Sequence, residues 1–210
     1  MTQSSPHARC DVNRGFLKAM ALTIWAGCIA VVVGLLVAQA MVPEYNWIAD
    51  TISDLAAGEN EIIMDVALYG FAFSFFAAAL GLSHVRGWDW RLPVSGLSMA
   101  GIAALIVVIG ARNEYGDNDN DGVVIHVQLV YGLGVLMAAA PFLAARFAGE
   151  VHDGYGTALR VLGAVWIVAA PIFFFTGTSY DGLYERGLGL LAIGVVSIIG
   201  AMFWRIARIG

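Results

Sequence analysis

Six side chains of the types that hold ions or move protons stand near the ends of apolar runs: Ser53, Asp54, Asp65, His126, Glu185 and Arg186. Carboxylates beside an imidazole can hold a divalent cation that polarises an ester or activates water. A serine hydroxyl becomes a nucleophile when a histidine reaches it as base, so Ser53, Asp54 and His126 are the catalytic candidates. Zinc usually takes two or three nitrogen or sulfur ligands, and a lone outer histidine among carboxylates suits Ca, Mg or Mn better.

A second metal candidate lies between two apolar runs. Asp117, Asp119 and Asp121, followed by Gly122, match the first six positions of a calcium loop. The twelfth position is Gln128 where a bidentate Glu would stand. The match therefore supports either a weak surface site or a plain acidic turn.

Asp50 and Asp54 lie one turn apart if their segment is helical and could act as a pair. Asp54 could instead cap a turn. Asp65 falls about one turn inside the membrane boundary, where a carboxylate is costly unless paired, hydrated or protonated. The cations at hand are Arg112 and Arg186. Arg–carboxylate pairs, with Arg186 on Asp54 or Asp65, are the expected solution.

The elements that must carry these residues follow from composition. Of 210 residues, 60% are apolar and 13% charged, and mean hydropathy is +0.77; soluble domains carry about twice that charge. A soluble globular fold is excluded. Apolar runs at about Leu17–Met41, Ile62–His84, Leu92–Ala111, Val123–Ala145, Leu159–Thr176 and Gly187–Trp204 are each long enough to cross a bilayer. Unpaired amides are intolerable in hydrocarbon, so each run is expected to be a helix. The fold class is all-α, a six-helix transmembrane bundle at 17–204, with tails at 1–16 and 205–210.

Nine of eleven Lys and Arg fall at one set of helix ends, leaving only Arg112 and Arg186 at the other. That bias places both termini in the cytoplasm and the acidic loops outside, in the plasma membrane. A net charge of −5 suggests no nucleic-acid partner. Cys10 and Cys28, one in the tail and one at bilayer depth, are not expected to pair. Ala77/Gly81, Gly96/Ala100 and Ser197/Ala201 allow close helix approach. Pro141 and Pro171 are candidate kinks.

Ile52-Ser53-Asp54-Leu55 after the first helix, His126 at the outer start of the fourth, and Glu185-Arg186 opening the sixth together resemble the six-span membrane proteins catalogued as domain of unknown function 998. The resemblance covers about Leu17 to Trp204. It implies a fold and a topology, and no reaction. The Ile-Ser-Asp element is also similar, remotely, to DRAM- and Frag-type six-span proteins, some linked to lipid remodelling or autophagy. Two functions fit the outer polar face: binding of membrane lipid head groups or a membrane protein partner, or metal-assisted hydrolysis of a lipid or another membrane-embedded substrate. A transporter is less favoured, since no charge falls at mid-helix.

Overall fold

The computed structural model describes residues 13–56, 61–85, 89–111, 126–175, 177 and 179–209. Seven α-helices occur among them: α1 (Arg14–Met41), α2 (Ile52–Leu55), α3 (Glu61–His84), α4 (Arg91–Ala111), α5 (His126–Val151), α6 (Asp153–Phe173) and α7 (Asp181–Ile209). All but α2 are long and apolar enough to span a membrane. The described residues contain no strand.

These helices show no single apolar stripe because both of their faces meet apolar surroundings. Inward, Phe75, Met99, Ile102, Met137, Ile199 and Phe203 are fully buried. Outward, Ile29, Phe73, Leu97 and Val168 remain exposed, as expected of a surface that meets lipid chains. The long helices form a closed ring in chain order, α1–α3–α4–α5–α6–α7, with α7 returning to α1. The α6–α7 seam is the loosest of the six.

Small residues set the tightest contacts. A Cβ on Gly27 would lie 2.3 Å from the Gly70 carbonyl oxygen, and one on Gly34 2.3 Å from the Ala67 Cβ, so α1 and α3 touch backbone to backbone. Of the three small-residue pairs expected to do this, Ala77/Gly81 contributes differently: Gly81 is the seat of the Phe203 ring from α7.

Hydropathy placed the helix ends short. α1 begins at Arg14 and α7 runs to Ile209, so 14–16 and 205–209 are helical where tails were expected. α5 continues to Val151 and α6 begins at Asp153, with His152 as the N-cap whose Nδ1 accepts from the Gly154 N–H at 3.1 Å. α7 starts at Asp181, six residues before the apolar run. The reason is shared: helix hydrogen bonds continue through charged residues once the chain leaves the hydrocarbon, aided here by an Arg146–Glu150 pair at 3.7 Å. Pro141 and Pro171 lie inside their helices and end neither at once.

Candidate functional site

The site is built at the end of the bundle opposite both termini. α1 stops at Met41, and the chain turns through Pro43 and Glu44, whose φ of 60° is left-handed. It then crosses toward α7. The N–H groups of Gly182 and Leu183, orphaned at the start of α7, donate to the carbonyls of Ala49 (3.1 Å) and Ile48 (2.9 Å). A Cβ on Gly182 would fall 2.0 Å from the Asp50 carbonyl oxygen, so only glycine lets the loop come this close.

Arg186 completes the clasp. Its Nη1 donates to the carbonyls of Asp50 (3.0 Å) and Gly182 (2.7 Å), and its Nη2 to the Tyr45 hydroxyl (2.5 Å). With the Gln39 amide turned so that its oxygen faces the guanidinium, that oxygen accepts from Nε (3.3 Å) and Nη2 (3.1 Å). All five N–H donors are thereby used. The expected pair with Asp54 or Asp65 is not what forms; carbonyls of the docked loop lie closer to the fork than either carboxylate.

Tyr45 ties the same loop to itself, donating to the carbonyls of Thr51 (2.7 Å) and Asp50 (3.0 Å). Burial pushes its phenol above the ordinary value, and the Arg186 hydrogen bond pulls it part of the way back. A raised folded pKa means that its stabilisation is full below pH 10 and is lost as pH climbs from there through the folded value. Tyr45→Phe is therefore expected to melt below wild type at pH 8, with the gap narrowing above pH 10. A gap that stays constant through pH 11 in thermal unfolding would contradict this role for the hydroxyl.

The loop ends in α2, and its acidic residues close local turns. Thr51 is the N-cap, and Asp54 returns the bond as a capping box: the Thr51 N–H and hydroxyl donate to Asp54 Oδ2 at 2.7 and 2.8 Å. Asp50 Oδ2 accepts from the Asn46 N–H at 2.7 Å. The expected Asp50–Asp54 pair is thus replaced by one capping box and one local loop bond, because α2 starts after Asp50.

With Thr51 capping, the hydroxyl of Ser53 is left to face other helices. Ser53 Oγ lies 3.5 Å from His126 Nε2 on α5 and donates to Glu185 Oε1 on α7 at 3.4 Å. The other Glu185 oxygen accepts from the Ile52 N–H at 2.5 Å. His126 is buried, and its Nδ1 has no hydrogen-bond partner among the described residues.

These groups stand at the polar end of a cavity of about 1320 Å³. Gln39, Thr51, Ser53, His126, Glu185 and Arg186 line that end, and Leu68, Phe71, Phe75, Ile102, Ile106 and Met137 line its depth. On α5 the lining runs from His126 to Ala138, roughly 18 Å along the axis at 1.5 Å per residue. Gly134 and Gly189 line it too, with nothing within 4 Å of where a Cβ would stand.

Of the six expected site residues, Ser53, His126 and Glu185 converge, and Arg186 lies beside them as the clasp. Asp54 is turned to Thr51. Asp65 is not among the residues lining the cavity, and its buried Oδ1 has no hydrogen-bond partner among the described residues. No three His, Cys, Asp or Glu side chains converge as a metal site among the described residues, so Asp54, Asp65 and His126 do not form the expected centre. Arg112 and the candidate calcium ligands Asp117, Asp119 and Asp121 lie outside the described residues.

Six spans in a ring, closed at one end by Ile-Ser-Asp-Leu, His126 and Glu185-Arg186, agree with a comparison against protein families. The model described as "Protein of unknown function (DUF998)" matches residues 25–202. The chain belongs to this family. No curated protein matches it, and no solved structure does. With its six long apolar helices, this DUF998 protein is an integral membrane protein. Tyr45 and Gln39, which the sequence reading did not assign to the site, complete it; the one legible signal was Gln39, an amide in the last turn of an otherwise apolar run.

Proposed function

We propose that this protein binds a membrane amphiphile, its chain in the cavity and its polar head against Ser53, His126 and Glu185. The observation that carries the reading is the cavity: about 1320 Å³, reached by all six long helices and apolar except at one end. Ligand sites commonly span ~300–1,000 Å³ with a few polar groups fixing orientation. Protein interiors hold few voids larger than water, and an apolar void attracts no water. In a bilayer, the occupant at hand is a lipid chain.

The route in follows the loosest seam. Tyr131 and Val135 of α5, Ile167 of α6 and Leu190 of α7 line the cavity and are themselves exposed, so the cavity opens to the surface of the bundle. A concave apolar chamber suits a lipid better than it suits a partner protein.

The test is a photoactivatable diazirine analogue of a 16-carbon fatty acid, added to the protein in phosphatidylcholine nanodiscs. Crosslinks are expected within Phe71–Phe75 and Ile102–Ile106, at the cavity floor. Crosslinks confined to outward positions such as Ile29, Leu97 and Val168 would mean that lipid only bathes the bundle.

The bias of basic residues orients the site toward the outer face of the plasma membrane. In a background with Cys10 and Cys28 replaced by serine, Trp47→Cys is expected to react with an impermeant thiol reagent on intact cells, and His152→Cys only after permeabilisation. The reverse pattern would turn the site to the cytoplasm.

A further inference from the structure

We propose that Ser53 is an acyl-accepting nucleophile, with His126 as its base, in the hydrolysis of an ester carried by the amphiphile; this rests on the cavity-binding reading. Serine near a helix start ordinarily caps the backbone or bonds to it. Here Thr51 holds the cap. The Ser53 hydroxyl instead meets an imidazole from α5 and a carboxylate from α7, residues more than seventy and more than one hundred and thirty positions away in the chain. All three side chains line the cavity's polar end. A chain lying in the apolar part would bring an ester at its head to the Ser53 oxygen.

The separation of 3.5 Å between Ser53 Oγ and His126 Nε2 is compatible with a nucleophile–base pair, since catalytic hydrogen bonds are often long before substrate binds and tighten when it closes the site. The Ser53 hydroxyl turns its hydrogen from Glu185 Oε1 to His126 Nε2, Oγ forms a bond to the ester carbonyl carbon, and the proton passes to that nitrogen. The carbon–alkoxide bond then breaks, and the leaving alcohol takes that proton. Water, deprotonated by the same nitrogen, attacks the acyl-serine. The carboxylic acid departs, Ser53 recovers its proton, and the net reaction is ester plus water to acid plus alcohol.

Glu185 is a positioning residue in this scheme. One of its oxygens is held by the Ile52 N–H, and the other fixes the Ser53 hydroxyl. Glu185 Oε1 and His126 Nε2 both lie within 3.5 Å of Ser53 Oγ, so the negative charge of Glu185 is near the imidazolium that forms when His126 takes the proton. The second ring nitrogen, Nδ1, is buried with no hydrogen-bond partner among the described residues. With Nε2 as the base the neutral ring carries its proton on Nδ1, which is therefore open to donate a hydrogen bond to water or to the head group of the bound ester.

The experiment uses a hexadecyl fluorophosphonate on the full chain in detergent. It phosphonylates an activated serine, with Ser53 Oγ forming the bond to phosphorus, fluoride leaving and His126 taking the proton. Wild type is expected to be labelled on the peptide carrying Ser53, and Ser53→Ala not at all. His126→Ala should react roughly 100-fold or more slowly, the usual contribution of a positioned base. Glu185→Gln, which retains an oxygen for the Ile52 N–H, should be labelled faster than His126→Ala and slower than wild type, a split that a merely structural role would not produce.

The diazirine fatty acid is applied to each variant in parallel. Ser53→Ala that keeps its cavity crosslinks but loses phosphonylation supports the nucleophile. Wild type that crosslinks in the cavity yet is not phosphonylated overturns it and leaves amphiphile binding standing. Failure of both reactions on folded wild type overturns the two readings together. Labelling of another serine, with Ser53→Ala unaffected, also overturns the proposal.

Discussion

Gly189→Phe is expected to weaken amphiphile binding at least about tenfold while leaving the bundle folded. Gly189 lies one helical turn below Glu185 on α7, on the same face, so its position is directly under the proposed head-group site. Nothing lies within 4 Å of its missing Cβ, and the ring has room to enter without moving backbone. Replacing a helix glycine removes a local cost of up to about 1 kcal/mol, which favours folding. The ring occupies the space of the first methylenes of a bound chain. At ~0.8 kcal/mol per buried CH₂, displacing two of them costs ~1.6 kcal/mol, or roughly 15-fold in affinity. Gly187→Phe is the control: it is on the same helix and equally open, but it is exposed and does not line the cavity. Equal affinities for the two variants, read by quenching of a fluorescent fatty acid, would remove the cavity as the binding site.

What was legible in the sequence had a local cause. Six apolar runs specify six helices because hydrocarbon admits few alternatives. Their ends were less legible, since Arg146 to Val151 and Asp181 to Arg186 stay helical by hydrogen bonding that hydropathy does not register. Ser53, His126 and Glu185 could be gathered as candidates because polar residues at apolar-run ends are few. Their convergence depends on α5 and α7 both facing the interior, which only the ring order settles. Asp54 and Asp65 carry the same functional group as Glu185 but are excluded by neighbours that sequence does not weigh: Thr51 claims Asp54, and the lining of the cavity leaves Asp65 out. The cavity itself had no signal. It is made by the absence of side chains at Gly134 and Gly189 and by the spacing of six helices, and absence has no periodicity.

The clasp makes the other large prediction. Arg186→Ala should lower stability by about 2 kcal/mol or more, because hydrogen bonds from a charged donor are worth ~1.5–3 kcal/mol each and the variant leaves the Asp50 carbonyl without its fork. For a chain of this size that is roughly 4–8 °C in Tm. Arg186→Lys should recover only part of it, since an ammonium cannot span the Asp50, Gly182, Tyr45 and Gln39 acceptors from one planar group. Arg146→Ala, at the opposite end, removes exposed pairs to Asp89 (3.3 Å) and Glu150 (3.7 Å) and should cost under about 1 kcal/mol. Gly182→Ala attacks the same clasp from the other side. Its new methyl would stand 2.0 Å from the Asp50 oxygen, a backbone atom, so the loop must withdraw. The amides of residues 182 and 183, protected by the carbonyls of Ala49 and Ile48, should then exchange with solvent faster. Because the same loop runs directly into Thr51 and Ser53, Gly182→Ala should also slow phosphonylation of Ser53 although residue 182 touches neither Ser53 nor His126. Unchanged exchange at 182 and 183 in that variant, or Arg186→Ala as stable as Arg146→Ala, would mean that the loop is held by something other than this clasp.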